Sequence, residues 1–322
     1  MNEKHYLQSS VALRKDLKDY FSQQTLKYFH QKTAWRHFLV VFRQGLLLGV
    51  STWVLIGSSL PYLWPIAIFV QGFTVFNFTV LLHEVVHRSI FAKNRPWFYK
   101  ILGYCYAIPS GISASQFTRW HLDHHDQLGN GEKDPKRHYL TPKVNKRWYK
   151  ALYFTPILFP IYFRAAGRET KTYPAELQSR IRKERLITIG VHLSVLFFLW
   201  SYFSFEVCLR TYILPIFFVF PIAFTVNRLG QHYNINPQDP AHWSTRMQRS
   251  WFWDFWFLWS NYHLEHHYYP TVPFYRLPEL NWALISFYER HQIPEKSYAS
   301  LLSGWFIANH PPHTHWDSIA VS

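Results

Sequence analysis

The chain has 322 residues, enough for one large domain or two small ones, with 48% hydrophobic and 20% aromatic residues and a formal net charge of +15. A basic excess of this size fits nucleic acid, an anionic membrane surface or an acidic protein partner; no nucleic-acid-binding motif accompanies it, so no nucleic acid is expected as a partner. Two cysteines, Cys105 and Cys208, exclude a disulfide framework and a cysteine-based zinc site.

Residues 1–37 are polar and charged, without the apolar run of a secretory signal. Leu13, Leu17, Tyr20, Phe21 and Tyr28 recur there at roughly helical spacing between lysines. The pattern predicts a cytoplasmic N-terminal amphipathic segment, either on a membrane surface or solvated. A long apolar run follows at about 38–60, interrupted only by Arg43 and Gln44, and a second at about 62–82 after a break without charge. Runs at 186–203 and 207–226 make another such pair. Crossing a bilayer takes about 20 residues. The predicted fold class is therefore all-α integral membrane. Its four transmembrane helices form two hairpins, joined by interfacial helices and a cytoplasmic helical cap that holds a histidine-rich dimetal site. Residues 38–280 form the membrane domain and 281–322 a cytoplasmic tail.

Lysine and arginine concentrate at the N-terminus, between Arg88 and Arg185, and after Arg228. The positive-inside rule puts those regions, and so both termini, on the cytoplasmic side. The pieces 97–112 and 151–163 are too short or too proline-broken to span and read as interfacial or re-entrant helices. Lys143–Tyr149 and Arg164–Arg185 read as solvated linkers. Trp251, Trp253, Trp256 and Trp259 mark either a headgroup-level segment or a buried aromatic one.

The histidines carry the chemistry. His83 and His87 (HEVVH) lie one helical turn apart. His121, His124 and His125 (HLDHH) share the spacing H-x-x-H-H with His263, His266 and His267 (HLEHH). Positions i, i+3 and i+4 converge on one helical face. Eight imidazoles exceed what one tetrahedral zinc requires, which points to two metals. His232, just past the fourth apolar run, is a further candidate that spacing alone leaves open. Glu84, Asp123 and Glu265 inside the boxes either accept the distal imidazole N–H or face solvent. His192 reads as a satisfied core residue. His310, His313 and His315 form either a weak surface site or part of a solvated tail. HEVVH also satisfies the H-E-x-x-H pattern of zinc metalloproteases, with Glu84 as base, but that reading leaves both H-x-x-H-H boxes unexplained.

HEVVH, HLDHH and HLEHH, in this order around two apolar pairs, resemble the membrane fatty acid desaturase superfamily over about Phe38 to Leu280. The superfamily pattern is H-x(3,4)-H, H-x-x-H-H and [H/Q]-x-x-H-H. The resemblance implies two non-haem iron ions held by nine histidines, the extra one mapping onto His232, with O2 as co-substrate. It implies an enzyme that introduces a double bond into a fatty acyl chain of a lipid. Lipid, sphingolipid and carotenoid hydroxylases and ketolases resemble the same boxes and insert oxygen instead. Some members carry a fused cytochrome b5 domain with a His-Pro-Gly-Gly signature. HPPH at His310–His313 is not one, so a separate electron donor, ferredoxin or cytochrome b5, is implied, docking on the basic face.

Overall fold

The computed structural model describes residues 4–233, 235–236 and 238–312. His313 and His315 therefore lie outside the described residues. The fold is mostly helical. Among the described residues four stretches are long and apolar enough to cross a bilayer: Gln23–Gly57, Pro61–Val86, Ala175–Tyr202 and Phe205–His232.

The Ala34–Gly57 helix is apolar on both faces, with the polar groups turned inward. Phe42, Leu46, Val50 and Trp53 point outward, Trp53 being 73% exposed, while Gln44 and Ser51 are buried. That is the arrangement expected when the solvent is hydrocarbon and polar side chains must find one another. Asn77 Nδ2 donates to Gln44 Oε1 at 3.1 Å, and Ser51 Oγ donates to Gln71 Oε1 at 3.1 Å. Gln71 Nε2 in turn donates to the Thr211 carbonyl, joining three of the four apolar stretches.

The Trp64–Val86 helix is buried on nearly all sides and forms the centre of the molecule. It touches the Ala34–Gly57, Pro96–Ala107, Phe220–His232 and Trp251–Phe257 helices. Gly72 permits a close approach by residues 215–219: a Cβ there would lie 2.4 Å from Val219 Cβ and 2.7 Å from the Pro215 carbonyl oxygen. On the facing chain, Pro215 and Pro221 lack an N–H to donate, and residues 209–213 and 215–219 form wide turns.

Two sequence expectations change. Arg164–Arg185, read as a solvated linker, is largely helical, being covered by Leu158–Thr170 and the start of Ala175–Tyr202. Its polar residues are strong helix formers, and several face inward: Glu184 is 5% and Glu169 9% exposed. The N-terminal segment packs on the core rather than standing free in solvent. Leu13 and Leu17 of the Val11–Tyr20 helix are buried in the main core. Tyr20 Oη donates to the Ala283 carbonyl at 3.1 Å, and Asp16 Oδ2 lies 2.7 Å from His291 Nε2.

Of the four tryptophans at 251–259, Trp251 is 83% exposed, whereas Trp253, Trp256 and Trp259 pack against the core. The last helices, Leu277–Ala283, Ile285–Arg290 and Tyr298–Phe306, bury Leu280, Phe287, Tyr288 and Trp305. A two-residue parallel pairing of Arg246–Met247 with Glu295–Lys296 fastens them to the chain before the third box.

Candidate metal centre

Four elements deliver the nine histidines. His83 sits in the last turn of the Trp64–Val86 helix and His87 caps it, after which Arg88 at φ 51° turns the chain away. The second box lies on the Ala114–Gln127 helix. Ser113 caps that helix, accepting from the Gln116 N–H at 3.1 Å. Glu184 fixes the same end, accepting from Ser113 Oγ at 2.6 Å and from the Ser115 N–H at 2.9 Å. Gln116 Nε2 donates to the Ala166 carbonyl at 2.7 Å. The segment read as a linker thus anchors the second box. His232 ends the Phe220–His232 helix, and the third box forms the short, wholly buried His263–Tyr268 helix.

The nine side chains form two groups: His83, His87, His121, His125 and His266, and His124, His232, His263 and His267. Within each group, one ring nitrogen per residue lies within 4.8 Å of all the others. The i and i+4 histidines of each H-x-x-H-H box share a group, and the i+3 histidine crosses to the other. His121 and His125 join the first while His124 joins the second; His263 and His267 join the second while His266 joins the first. Each box therefore bridges both sites.

A cation fits these groups better than hydrogen bonding does. Facing Nε2 atoms lie 2.8 Å apart for His87 and His121, 3.0 Å for His125 and His266, and 3.0 Å for His232 and His263. His232 Nδ1 is 2.8 Å from the Trp243 carbonyl, which can only accept, so the proton is on Nδ1 and Nε2 presents a bare lone pair. His124 Nδ1 is 2.8 Å from Asp134 Oδ1, with the same consequence when that carboxylate is ionised. Yet the two Nε2 atoms face each other at 3.0 Å. Two nitrogens each about 2.1 Å from a metal, at right angles, sit about 3.0 Å apart. Burial first, and then the crowding of other imidazoles and, for all but His266, of Lys136, holds His121, His124, His125, His263, His266 and His267 well below the ordinary histidine pKa. They are neutral near pH 7, the state that binds metal.

Of the carboxylates inside the boxes, Asp123 turns away from the imidazoles, whereas Glu84 and Glu265 are buried yet accept from other groups. Asp123 faces away and pairs with Arg119 at 2.9 Å. Glu265 accepts from Asn281 Nδ2 and from Tyr288 Oη, both at 2.5 Å. Glu84 Oε2 accepts from Ser89 Oγ at 2.6 Å and from the Phe274 N–H at 3.1 Å; its other oxygen is 3.6 Å from His83 Nδ1, too far to bond. Glu84 is thus tied into the scaffold, and its two neighbouring histidines share their site with three more, unlike a two-histidine zinc protease. The acceptor that sequence reasoning missed is Asp134, followed by Pro135 in a Lys-Asp-Pro-Lys turn. His192 is far from both groups in its bonding, engaging Tyr212 Oη and the Ile108 carbonyl.

A cavity of about 100 Å³ adjoins the first group, reaching His83, His121, His263 and His266. Phe76, Val80, Phe117 and Phe224 form an apolar wall, and Lys136, Arg228 and Gln231 a polar one. An apolar side arm of about 40 Å³ shares Thr79, Phe117, Tyr162 and Phe224 with it. Lys136 Nζ lies 3.0 Å from His121 Nδ1. Burial and the neighbouring Arg228 pull its amine down to about 7, against the opposing pull of Asp134.

A helical membrane protein with two adjoining all-imidazole clusters beside an apolar cavity is the class that this fold and site define. The chain belongs to the fatty acid desaturase family, whose model matches residues 58–299. It is 23% identical over 237 residues to the acyl-lipid (8-3)-desaturase of Rebecca salina, covering 66% of this chain and 55% of that protein. It is 23% identical to the sphingolipid delta(4)-desaturase/C4-monooxygenase DES2 of Homo sapiens, over 71% of this chain and 68% of that one. It is 24% identical to the dihydrorhizobitoxine desaturase of Bradyrhizobium elkanii, over 76% of this chain and 72% of that one. The match to the first of these spans little more than half of that protein's length.

Proposed function

We propose that the protein is a membrane di-iron oxidoreductase that introduces a double bond into a fatty acyl chain. The balanced change is loss of two hydrogens from adjacent methylenes while O2, two electrons and two protons become two waters. The observation that carries this reading is the pair of buried imidazole clusters opening on an apolar cavity in a chain of this family. His83, His87, His121, His125 and His266 would hold one iron, and His124, His232, His263 and His267 the other. The five neutral nitrogen donors of the first group exceed the four that tetrahedral zinc takes. Iron bound there would supply the O2 activation that an unactivated C–H bond requires.

The chain's own residues do the rest. Phe76, Val80, Phe117 and Phe224 would hold a methylene against the site and keep water from it. Asp134 and the Trp243 carbonyl fix the tautomers of His124 and His232. Four membrane spans arranged as two hairpins, with both termini and the boxes on the cytoplasmic side, fit the distribution of basic residues. Electrons would come from a separate ferredoxin or cytochrome b5 docking on the basic face. Oxygen insertion is the second reading: the name of the human sphingolipid relative couples desaturation with C4-monooxygenation.

Mass spectrometry of lipids from cells expressing the chain, with His266→Ala as control, tests the proposal. Lipids two hydrogens lighter only with the intact chain support it. Lipids one oxygen heavier move the chain to the second reading. An iron-loaded protein supplied with donor that alters no lipid refutes both.

A further inference from the structure

Among the described residues two tyrosines line the cavity beside the histidines, Tyr162 and Tyr262. Their surroundings differ. Tyr262 is 0% exposed and immediately precedes His263 of the four-histidine group. Its hydroxyl donates to Asp254 Oδ2 at 3.0 Å, and Asn261 Nδ2 donates to the other oxygen, Oδ1, at 2.9 Å. An ionised carboxylate only accepts, so Asp254 is a base within hydrogen-bond reach of the phenol proton. The charges that Tyr262 faces are those of Asp254 and Glu265, opposed by Arg249. Tyr162 faces Arg185 and Arg228 instead and gives its hydroxyl to no carboxylate among the described residues.

The backbone is bent to make the Tyr262–Asp254 pair. Asp254 lies on the Trp251–Phe257 helix, and Tyr262 caps the short helix of the third box. Between them Leu258 and Trp259 have φ of 47° and 59°, two consecutive left-handed residues that are not glycine. That turn folds the chain back, so that Asn261 and Tyr262 both reach the helix just left. A phenol gives up an electron near neutral pH only as its proton leaves, and does so more readily beside a negative charge than beside a positive one. Tyr262 has the acceptor and the charge; Tyr162 has neither.

We propose that Tyr262 is a redox-active residue that discharges the metal centre when the cavity holds no lipid. The inference rests on the reading of the site as an oxidising dimetal centre. A centre able to take hydrogen from a methylene stays oxidising when O2 is activated without substrate, and the groups next to it are the imidazoles that hold the metals. One electron passes from Tyr262 to the oxidised metal site and the phenol proton passes to Asp254, leaving a neutral tyrosyl radical. One electron from the reduced donor protein, with the proton returned by Asp254, restores the phenol. Each round removes one oxidising equivalent at the cost of one donor electron and leaves the histidines intact. Because Tyr262 is wholly buried, the radical is shielded from solvent.

The test reads the radical rather than turnover. Iron-loaded, chemically reduced protein in detergent is mixed with O2 without lipid, frozen at intervals and followed by electron paramagnetic resonance. Oxidation of the box histidines is read by mass spectrometry on the same samples. Wild type should show a tyrosyl signal that narrows when the protein is grown with ring-deuterated tyrosine. Tyr262→Phe should lose the signal and gain oxidised histidines, whereas Tyr162→Phe should keep the signal. Asp254→Asn, which still accepts the hydrogen bond but does not take the proton, should lose the signal too. Iron content and unfolding midpoint are measured on every variant. If Asp254→Asn loses iron through its contact with Asn261, wild type and Tyr262→Phe decide alone. Iron-loaded wild type without a tyrosyl signal overturns the proposal, and that measurement needs no variant. A signal that survives in Tyr262→Phe overturns it as well, as does equal histidine oxidation in Tyr262→Phe and wild type. Desaturated lipid made by a protein that forms no radical refutes this proposal alone. A Tyr262 radical in a protein that alters no lipid refutes the lipid-oxidising function alone, so the two failures are distinguishable.

Discussion

Asp134→Asn separates the two clusters. Asp134 Oδ1 lies 2.8 Å from His124 Nδ1, and both side chains are 0% exposed. The neutral amide keeps the size of the carboxylate but accepts a weaker hydrogen bond, and its flipped form presents N–H to N–H. Replacing an acceptor of this kind weakens metal binding by about 10–100-fold, or about 1.4–2.7 kcal/mol. His124 belongs to the four-histidine group, so the loss should fall there and spare the five-histidine group. The assay is competitive titration of the purified protein with Co(II) against a chelator, reading metal per chain. Wild type should fill two sites, and the variant one at wild-type affinity with the second 10–100-fold weaker. Asp123→Asn, which breaks only a partly exposed pair with Arg119, should stay within about threefold of wild type. Two unaltered sites in Asp134→Asn, or equal weakening of both, would refute the assignment of His124 and the orienting role of Asp134.

His266→Ala should lose turnover and empty the five-histidine site, because it removes the only ligand that the third box sends there; metal analysis checks this. His192→Ala should keep both metals, since its ring engages Tyr212 and a carbonyl instead. Metal-free protein should become less stable as pH falls below 6.5. Burial holds the folded-state pKa of His121, His124, His125, His263, His266 and His267 below that unfolded value, so only the unfolded chain takes up protons there. Each such histidine contributes a slope of up to about 1.4 kcal/mol per pH unit. An unfolding midpoint that does not drop between pH 7.5 and 5.5 would contradict this. Gly129→Ala should lower the unfolding midpoint by an amount worth more than about 1 kcal/mol. Its φ is 88°, and a Cβ would lie 2.3 Å from the ring of Trp243, whose carbonyl holds His232.

The histidine boxes were legible in the sequence because their spacing is itself a three-dimensional statement: i and i+4 point the same way on any helix. The division of each box between two sites was not legible, since it depends on how four separate elements cross. That Asp123 and Glu265 do not reach the imidazoles has a related reason. Asp123 and Glu265 lie two positions after His121 and His263, and two helical steps of about 100° carry a side chain to the opposite face. Asp134 returns to His124 only through the turn at Gly129, whose positive φ no periodicity reveals. The apolar runs announced the membrane-length helices but underestimated their ends. The second helix continues past the predicted Leu82 to Val86 and so carries His83 within its rigid frame. The third begins at Ala175 rather than 186, because basic residues that look solvated as a string form a helix whose Glu184 and Arg185 grip the second box.

The clasp between the two ends of the chain bears on how the protein is made. Tyr28 Oη donates to Glu279 at 3.0 Å, Tyr269 Oη to the Leu17 carbonyl at 2.7 Å, and Tyr20 Oη to the Ala283 carbonyl. The Val11–Tyr20 helix therefore has its apolar stripe covered by residues made some 250 positions later. The last histidine box is completed only shortly before those partners emerge from the ribosome.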